Sequence, residues 1–224
     1  LERPANAGEK TVYSEEEVLK KTVADVINAV GDKLHEIIIV VSPKSSGRTF
    51  EICKEIAEKY PQVKYFMQEK NPGLGWALRE AFVRVTGTHT IIVDGDGEFD
   101  LRTIPFMVKK AEEGYDLVLA SRWVKGSTVR DYDPLTYVLN RTFQIIFRIV
   151  FWTRVHDLTY GFKLISTDIL KRFKWEGVWH EIAMETTLMP LKCGYRVAEL
   201  PSNWEKRKEG VSKINTWKRF RYVF

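Results

Sequence analysis

The run Glu36–Val41 (EIIIVV) narrows the fold more than any other feature of the chain. Five consecutive β-branched residues with no polar alternation read as a strand buried on both faces. Such a strand belongs inside a sheet covered by helices above and below, and the flanking sequence supplies the covers. Ser14 with Glu17 three residues on forms a capping box, and Val18, Leu19, Val23, Val26, Ile27 and Val30 follow as one apolar stripe. The pattern predicts a helix over 47–60 that buries Phe50, Cys53, Ile56 and Ala57, a strand over 63–67 and a helix over 74–85. A strand over 90–93, a helix over 101–113 and a strand over 116–120 come next. Strands alternating with helices imply right-handed βαβ crossovers and a mostly parallel sheet.

Beyond residue 120 the alternation weakens. A polar loop over 121–133 precedes an aromatic-rich helix over 134–152, then a strand-like GFKLIS segment, a helix over 181–192 and a strand over 195–200. There is no internal repeat and no flexible linker. The expected organisation is one α/β domain over 1–200 with a basic, aromatic C-terminal appendage over 201–224.

Charge singles out that appendage. The formal net charge is +5, and Pro201–Phe224 holds seven basic residues against two acidic ones, so the whole excess lies there. A protein basic all over, as a general nucleic-acid coat would be, is thereby disfavoured. Cys53 and Cys193 form no CxxC pair, which argues against a disulfide framework or a zinc site and fits a reducing compartment. The sequence starts at Leu1 without a signal-peptide pattern and reads as an excerpt. No uninterrupted run of about 18 apolar residues is present to span a bilayer.

The chemistry concentrates in Thr90-Ile-Ile-Val-Asp94-Gly-Asp96-Gly-Glu98. An apolar strand ends in three acids at alternate positions, which extended chain would place on one side, with glycines between them to admit a ligand. Open α/β sheets bind ligands at the carboxyl ends of their parallel strands. Three carboxylates with no His or Cys nearby suit a hard divalent cation such as Mg2+ or Mn2+. A polar turn is the plainer reading. An EF-hand loop is excluded, because the positions that need Gly and Glu carry Phe99 and Pro105. Asn71-Pro-Gly73-Leu-Gly75, between a strand and a helix, has the composition of a turn that lets backbone approach a phosphate, or of a turn and nothing more. A dinucleotide-binding fingerprint fits it poorly, since Leu78 stands where the third glycine is needed.

With these residues in view, the chain resembles family 2 glycosyltransferases of the GT-A fold, especially those that glycosylate polyprenyl phosphates. Val12-Tyr13-Ser14-Glu15-Glu16 resembles the "PxYNEE" segment, Asn71–Ala77 the "NxGxGxA" turn, and Asp94–Glu98 the DxD metal motif with its following acid. Ala120–Gly126 resembles "GSRYVKGG", Asp157–Lys163 "DxxSGFR", and Arg207–Lys213 "RxxGxSK". The resemblance implies a three-layer, Rossmann-like GT-A sandwich and inverting transfer from a nucleoside-diphosphate sugar. It implies that Asp94, Asp96 and Glu98 hold Mg2+ or Mn2+, and that Asp94, Asp96 and Arg122 carry catalysis. It places Tyr13, Glu15, Ser42, Asn71 and Gly73 against substrate. Arg122, with Arg130 second, would gather the acceptor phosphate, while Arg207, Ser212 and Lys213 would close on the donor diphosphate.

Two departures stand out. Where the family has a hydrophobic first strand, this chain has Pro4-Ala-Asn-Ala-Gly-Glu-Lys10, and where the family has "DDGS" it has Ser42-Pro43-Lys44-Ser45. A hydroxyl acceptor would need a carboxylate base, for which Asp157, Glu181 and Glu185 stand ready. A non-catalytic nucleotide-sugar-binding module is the other alternative. The expected partners are the donor, a polyprenyl-phosphate acceptor and the cytoplasmic face of a membrane, with no nucleic acid. For the membrane, Tyr137–Trp152 is apolar but broken by Asn140, Arg141, Gln144 and Arg148 along one face; the helix either lies in the interface with its arginines at the headgroups or packs into the core.

Overall fold

The computed structural model describes residues 15–70 and 73–205. Its elements run α1 (Glu15–Val30), β1 (Ile37–Val41), α2 (Gly47–Lys59), β2 (Val63–Met67), α3 (Leu74–Phe82), β3 (His89–Ile92), α4 (Ile104–Glu112), β4 (Leu117–Ser121) and β5 (Val129–Arg130). They continue with α5 (Pro134–Val150), β6 (Lys163–Ser166), α6 (Thr167–Arg172), α7 (Glu181–Lys192), β7 (Val197–Pro201) and β8 (Trp204–Glu205). Every strand and helix expected from the pattern is present with shifted ends. The short α6, β5 and β8 carry too few residues for any periodicity to announce them.

The helices lie in two layers around the strands, α1, α2 and α4 forming one and α3, α6 and α7 the other. β3, β6, β4 and β7 form one hydrogen-bonded sheet in that order. β4 and β7 are parallel, while β6 is antiparallel to both of its neighbours. The reversal follows from connectivity. The chain reaches β6 through Asp157–Gly161, which lies beside Arg122 at the carboxyl end of β4, so β6 has to run back from that end. All five residues of β4 are buried, and Leu117, Leu119 and Ile165 join one core cluster while Val118, Phe162 and Leu164 join the other.

β1 and β2 pair in parallel as a separate two-stranded sheet. Among the described residues, a cleft of about 2610 Å3 is lined by Ile37–Val41, by His89–Val93 and by the acid loop that follows β3. This bears directly on the EIIIVV run. Its composition predicts burial on both faces, yet only Val41 is buried and Ile37–Val40 are half-buried. α2 is capped by Ser46, whose hydroxyl accepts from the Thr49 amide. That helix buries Ile52, Cys53 and Ile56, whereas Phe50, expected inside, is 39% exposed and edge-on to Tyr65.

Candidate active site

The acid loop follows β3 directly. Of the two glycines between its acids, Gly97 is the constrained one: a Cβ there would lie 3.2 Å from Val18 of α1, and it adopts a φ of +76° that side chains resist. The loop therefore turns instead of running extended, and Asp96 Oδ1 accepts from the Glu98 amide at 3.1 Å. Asp94 lies deepest. Burial raises its carboxyl first, Asp96 and Glu98 add to the effect, and the group is pushed up to about 7. Among the described residues, no group of three or more His, Cys, Asp or Glu forms a ready metal cage.

Across the same end of the sheet stands a charge cluster of the opposite kind. Arg122 follows β4 and grips Asp157 through Nε at 2.8 Å and Nη2 at 2.9 Å, with its amide donating to the same carboxylate at 3.1 Å. Both side chains are nearly inaccessible, 8% and 0% exposed. Burial works against the guanidinium charge, and Asp157 more than offsets it, so Arg122 is held above its ordinary value. The Tyr160 ring lies 4.5 Å from Arg122 Cζ. Asp157 is steadied in turn: Glu199 on β7 accepts the amides of His156 and Asp157, and Gln144 of α5 bonds Thr159 at 2.8 Å and the Leu158 amide at 2.8 Å.

A 160 Å3 cavity brings the two clusters together, with Asp94, Glu98, Arg122, Lys163 and His180 among its lining residues. Lys163 was not singled out from sequence, although a lysine inside the apolar GFKLIS strand is the signal that could have found it. It is fully buried on β6 and donates to Ala183 O at 2.5 Å, Thr187 at 2.6 Å and Thr186 at 3.1 Å, tying the sheet to α7. Burial pushes its ammonium down to about 7, with Asp157 opposing. Gln144 and Glu199 were also missed. Their signal is a polar residue within an apolar helix or strand.

The remaining expected residues fare differently. Tyr13, Asn71, Arg207, Ser212 and Lys213 lie outside the described residues, as does the Ser14 cap, and Glu15 is described only as the first residue of α1. Gly73 has a φ of +134°, and a Cβ there would meet the Val178 carbonyl at 2.0 Å; the Gly75 amide donates to that carbonyl at 2.9 Å. Those glycines let the turn pack closely against the backbone of Val178. Ser42 accepts from the Lys44 amide in the turn after β1, and Arg130 is exposed on β5. The three candidate bases hold other groups, although Glu181 Oε2 is buried without a hydrogen-bond partner among the described residues. Asp157 holds Arg122, Glu181 Oε1 accepts from the amides of Val178 and Trp179, and Glu185 accepts from Glu176 and Gly177 with its two oxygens.

In α5 the polar face packs against the protein, as the core-packed alternative has it, and the apolar face is the exposed one. Its polar face points inward: Gln144 is 1% exposed, Asn140 meets Tyr132, and Arg148 Nε is buried. The apolar face points out, exposing Leu135, Val138, Ile145, Ile146, Ile149 and Val150, with Trp152 just beyond at 90%. No helix among the described residues is long and apolar enough to cross a membrane.

An α/β sandwich with carboxylates and a buried arginine at the ends of its strands is the architecture of the GT-A class. The chain belongs to glycosyl transferase family 2, whose model matches residues 11–173. It is 26% identical over 215 residues to a dolichol-phosphate mannosyltransferase of Pyrococcus furiosus, an alignment covering 94% of this chain and 59% of that protein. It therefore spans well under two thirds of the length of that relative. It is likewise 26% identical to a polyprenol monophosphomannose synthase of Mycolicibacterium smegmatis, covering 91% and 78% of the two chains. Its fold is shared with glucosyl-3-phosphoglycerate synthase of Mycobacterium tuberculosis, at a TM-score of 0.68, 16% identity and coverage of 95% and 76%. The same enzyme solved with Mn2+, UDP-glucose and phosphoglyceric acid matches at 0.66 and 17%, covering 93% and 73%.

Proposed function

We propose that this chain is the catalytic domain of an inverting, metal-dependent glycosyltransferase that moves a sugar from a nucleoside-diphosphate donor to a polyprenyl phosphate at the cytoplasmic face of a membrane. One observation carries the acceptor class: the carboxylates lining the 160 Å3 cavity are Asp94 and Glu98, and none of Asp157, Glu181 and Glu185 is among them. A hydroxyl acceptor needs a base at the reacting atom. A phosphate acceptor is already an anionic nucleophile and needs a cation near it instead. Arg122 lies on the cavity wall, fixed in place by Asp157, and Arg130 is exposed on the strand that follows. The names of the two curated relatives support the same acceptor class.

A divalent ion fits the acid loop by the chemistry of its donors, hard carboxylate oxygens crowded enough to raise Asp94. Asp94, Asp96 and Glu98 would hold it. When bound, such an ion supplies Lewis acidity against the charge that grows on a leaving diphosphate. The chain's own residues do the rest. Asp157 and Glu199 hold Arg122 and its loop, Lys163 fixes α7 to the sheet, and Trp204 and Phe99 help wall the cavity against water. The outward apolar stripe of α5 supports docking on a lipid surface, where acyl contacts replace water over Ile145, Ile146 and Ile149.

The test is transfer of labelled sugar from UDP-, GDP- and dTDP-sugars into a membrane lipid extract, with Mn2+ or Mg2+ and with chelator. Label entering an acid-labile lipid only when metal is present is the expected result. Asp96→Asn should lose at least about 100-fold in transfer. Label in water-soluble glycans alone would overturn the acceptor, and an unaffected Asp96→Asn would overturn the metal ligands.

A further inference from the structure

One hydroxyl beside Arg122 has both of its acceptor sites filled and its proton left over. Thr159 lies in the connection from α5 to β6, two residues after Asp157, at a position that the segment resembling "DxxSGFR" leaves open. Arg122 Nη2 donates to Thr159 Oγ1 at 3.2 Å, and Gln144 Nε2 donates to the same oxygen at 2.8 Å. Neither bond can run the other way. A guanidinium has no acceptor, and the Gln144 amide is fixed by its other end: Oε1 accepts from the Leu158 amide at 2.8 Å, and a peptide N–H can only donate. A hydroxyl carries one donor and two acceptor sites. With two N–H groups aimed at Oγ1, the Thr159 proton has to point away from both, and no atom among the described residues receives it.

The surroundings define what does. Thr159 is half-buried and lines the 160 Å3 cavity together with Arg122. The two groups that fix it are themselves held, Arg122 by both oxygens of Asp157 and the buried Gln144 by Leu158 and by Asn140 at 3.2 Å. A donor fixed in this way gives up little freedom when it bonds a ligand, and accepting from a cation strengthens its own O–H as a donor. The atom it meets must be an acceptor, and the guanidinium on the same wall selects an anionic oxygen. We propose that the Thr159 hydroxyl is a substrate-binding donor, which gives its proton to a phosphate oxygen of the polyprenyl-phosphate acceptor beside Arg122. The inference rests on the acceptor class proposed above and adds the residue that orients that phosphate.

The probes are farnesyl phosphate, which carries an isoprenoid tail and a phosphate in soluble form, and farnesol, which has the tail alone. Each is titrated calorimetrically into the 224-residue chain. Thr159→Val keeps the shape of the side chain and removes the hydroxyl. It should weaken farnesyl phosphate about 10-fold or more, while farnesol binding and the KM for the sugar donor stay at their wild-type values. Thr159→Ser should restore the affinity, and Thr159→Ala reports the same loss should the valine variant not fold. The Arg122 Nε proton, which bonds Asp157, serves as the structural control, and its NMR shift should be the same in Thr159→Val and wild type. If that proton moves, the loss belongs to a displaced arginine and the proposal fails. It fails equally if serine does not restore binding, if farnesol weakens in parallel, or if the donor KM rises instead. A wild type that binds farnesyl phosphate no better than farnesol overturns the acceptor class and this inference with it. Wild-type phosphate binding that survives intact in Thr159→Val overturns this inference alone.

Discussion

The acid loop after β3 and the arginine cluster after β4 meet in one cavity, yet they handle charge in opposite ways. Arg122 and Asp157 neutralise each other at 2.8 Å, and Glu199, Gln144 and Thr159 complete their hydrogen bonds. Asp94 is half-buried beside two further carboxylates, and each influence on it opposes ionisation. One cluster pairs its charges, whereas in the other the neighbouring carboxylates hold Asp94 above the usual carboxylate range. The closed pair is scaffold that also fixes a cation at the cavity wall, whereas crowded carboxylates are the kind of donors a divalent ion draws on.

Breaking the closed pair should give the largest effect. Arg122→Leu leaves the Asp157 carboxylate buried without its counter-charge, which costs about 3–5 kcal/mol. For a chain of this size that lowers the melting temperature by roughly 10 °C. Asp157→Asn should act in the same direction, and Arg122→Leu/Asp157→Leu should recover part of the loss. If Arg122→Leu melts like wild type, the pair is not the scaffold described.

The open cluster should respond with the opposite sign. The carboxyl of Asp94 titrates near 7 in the folded chain and at 3.8 in the reference state, so the folded protein keeps an extra proton between those values. The contribution of this group to stability is complete below about pH 4 and falls as pH rises to 7. Asp94→Asn removes that slope and, in chelator at pH 8, should stabilise the chain by on the order of 2–4 kcal/mol while ending transfer. Lys163 covers the adjoining window. Its folded value near 7 lies below the reference 10.5, so stability rises with pH from 7 to 10.5, and Lys163→Met should flatten that arm alone. Urea unfolding across pH 4–10 checks both variants, and a slope that survives in Asp94→Asn would assign it elsewhere.

How much of this was legible in the sequence depended on whether a local rule was enough. The β-branched runs and apolar stripes located every long element, because burial periodicity is local. The position of Asp94 at a strand end was equally visible. The partnership of Arg122 with Asp157 was not, since it joins residues 35 apart through the reversal of β6, which no periodicity encodes. The cleft beside β1 was half visible. Ile37–Val41 read as a strand, but only the packing shows that it pairs with β2 and stands apart from β3. The orientation of α5 was not legible. Its amphipathic pattern was plain but left two placements open, interfacial or core-packed, because the pattern does not say which face meets the protein; Gln144 turns inward to bond Thr159 and the Leu158 amide.

That orientation carries the smallest expected change in stability and sharpens the comparison at its outer edge. Ile146 and Ile149 are 49% and 67% exposed, so replacing both with serine removes little buried area and should alter stability by less than about 0.5 kcal/mol. Their other property is contact with something apolar outside the chain. Flotation with anionic liposomes should show binding of the wild type and a loss of about 10-fold or more in the double variant, since each isoleucine withdrawn from lipid forfeits roughly 1.5–3 kcal/mol. Gln144→Leu provides the counter-experiment on the inner face: it should destabilise the Asp157–Thr159 loop and leave liposome binding unchanged. If instead the serine variant unfolds while liposome binding per folded molecule persists, the stripe serves the fold, and α5 belongs with the closed cluster, not with a surface that meets lipid.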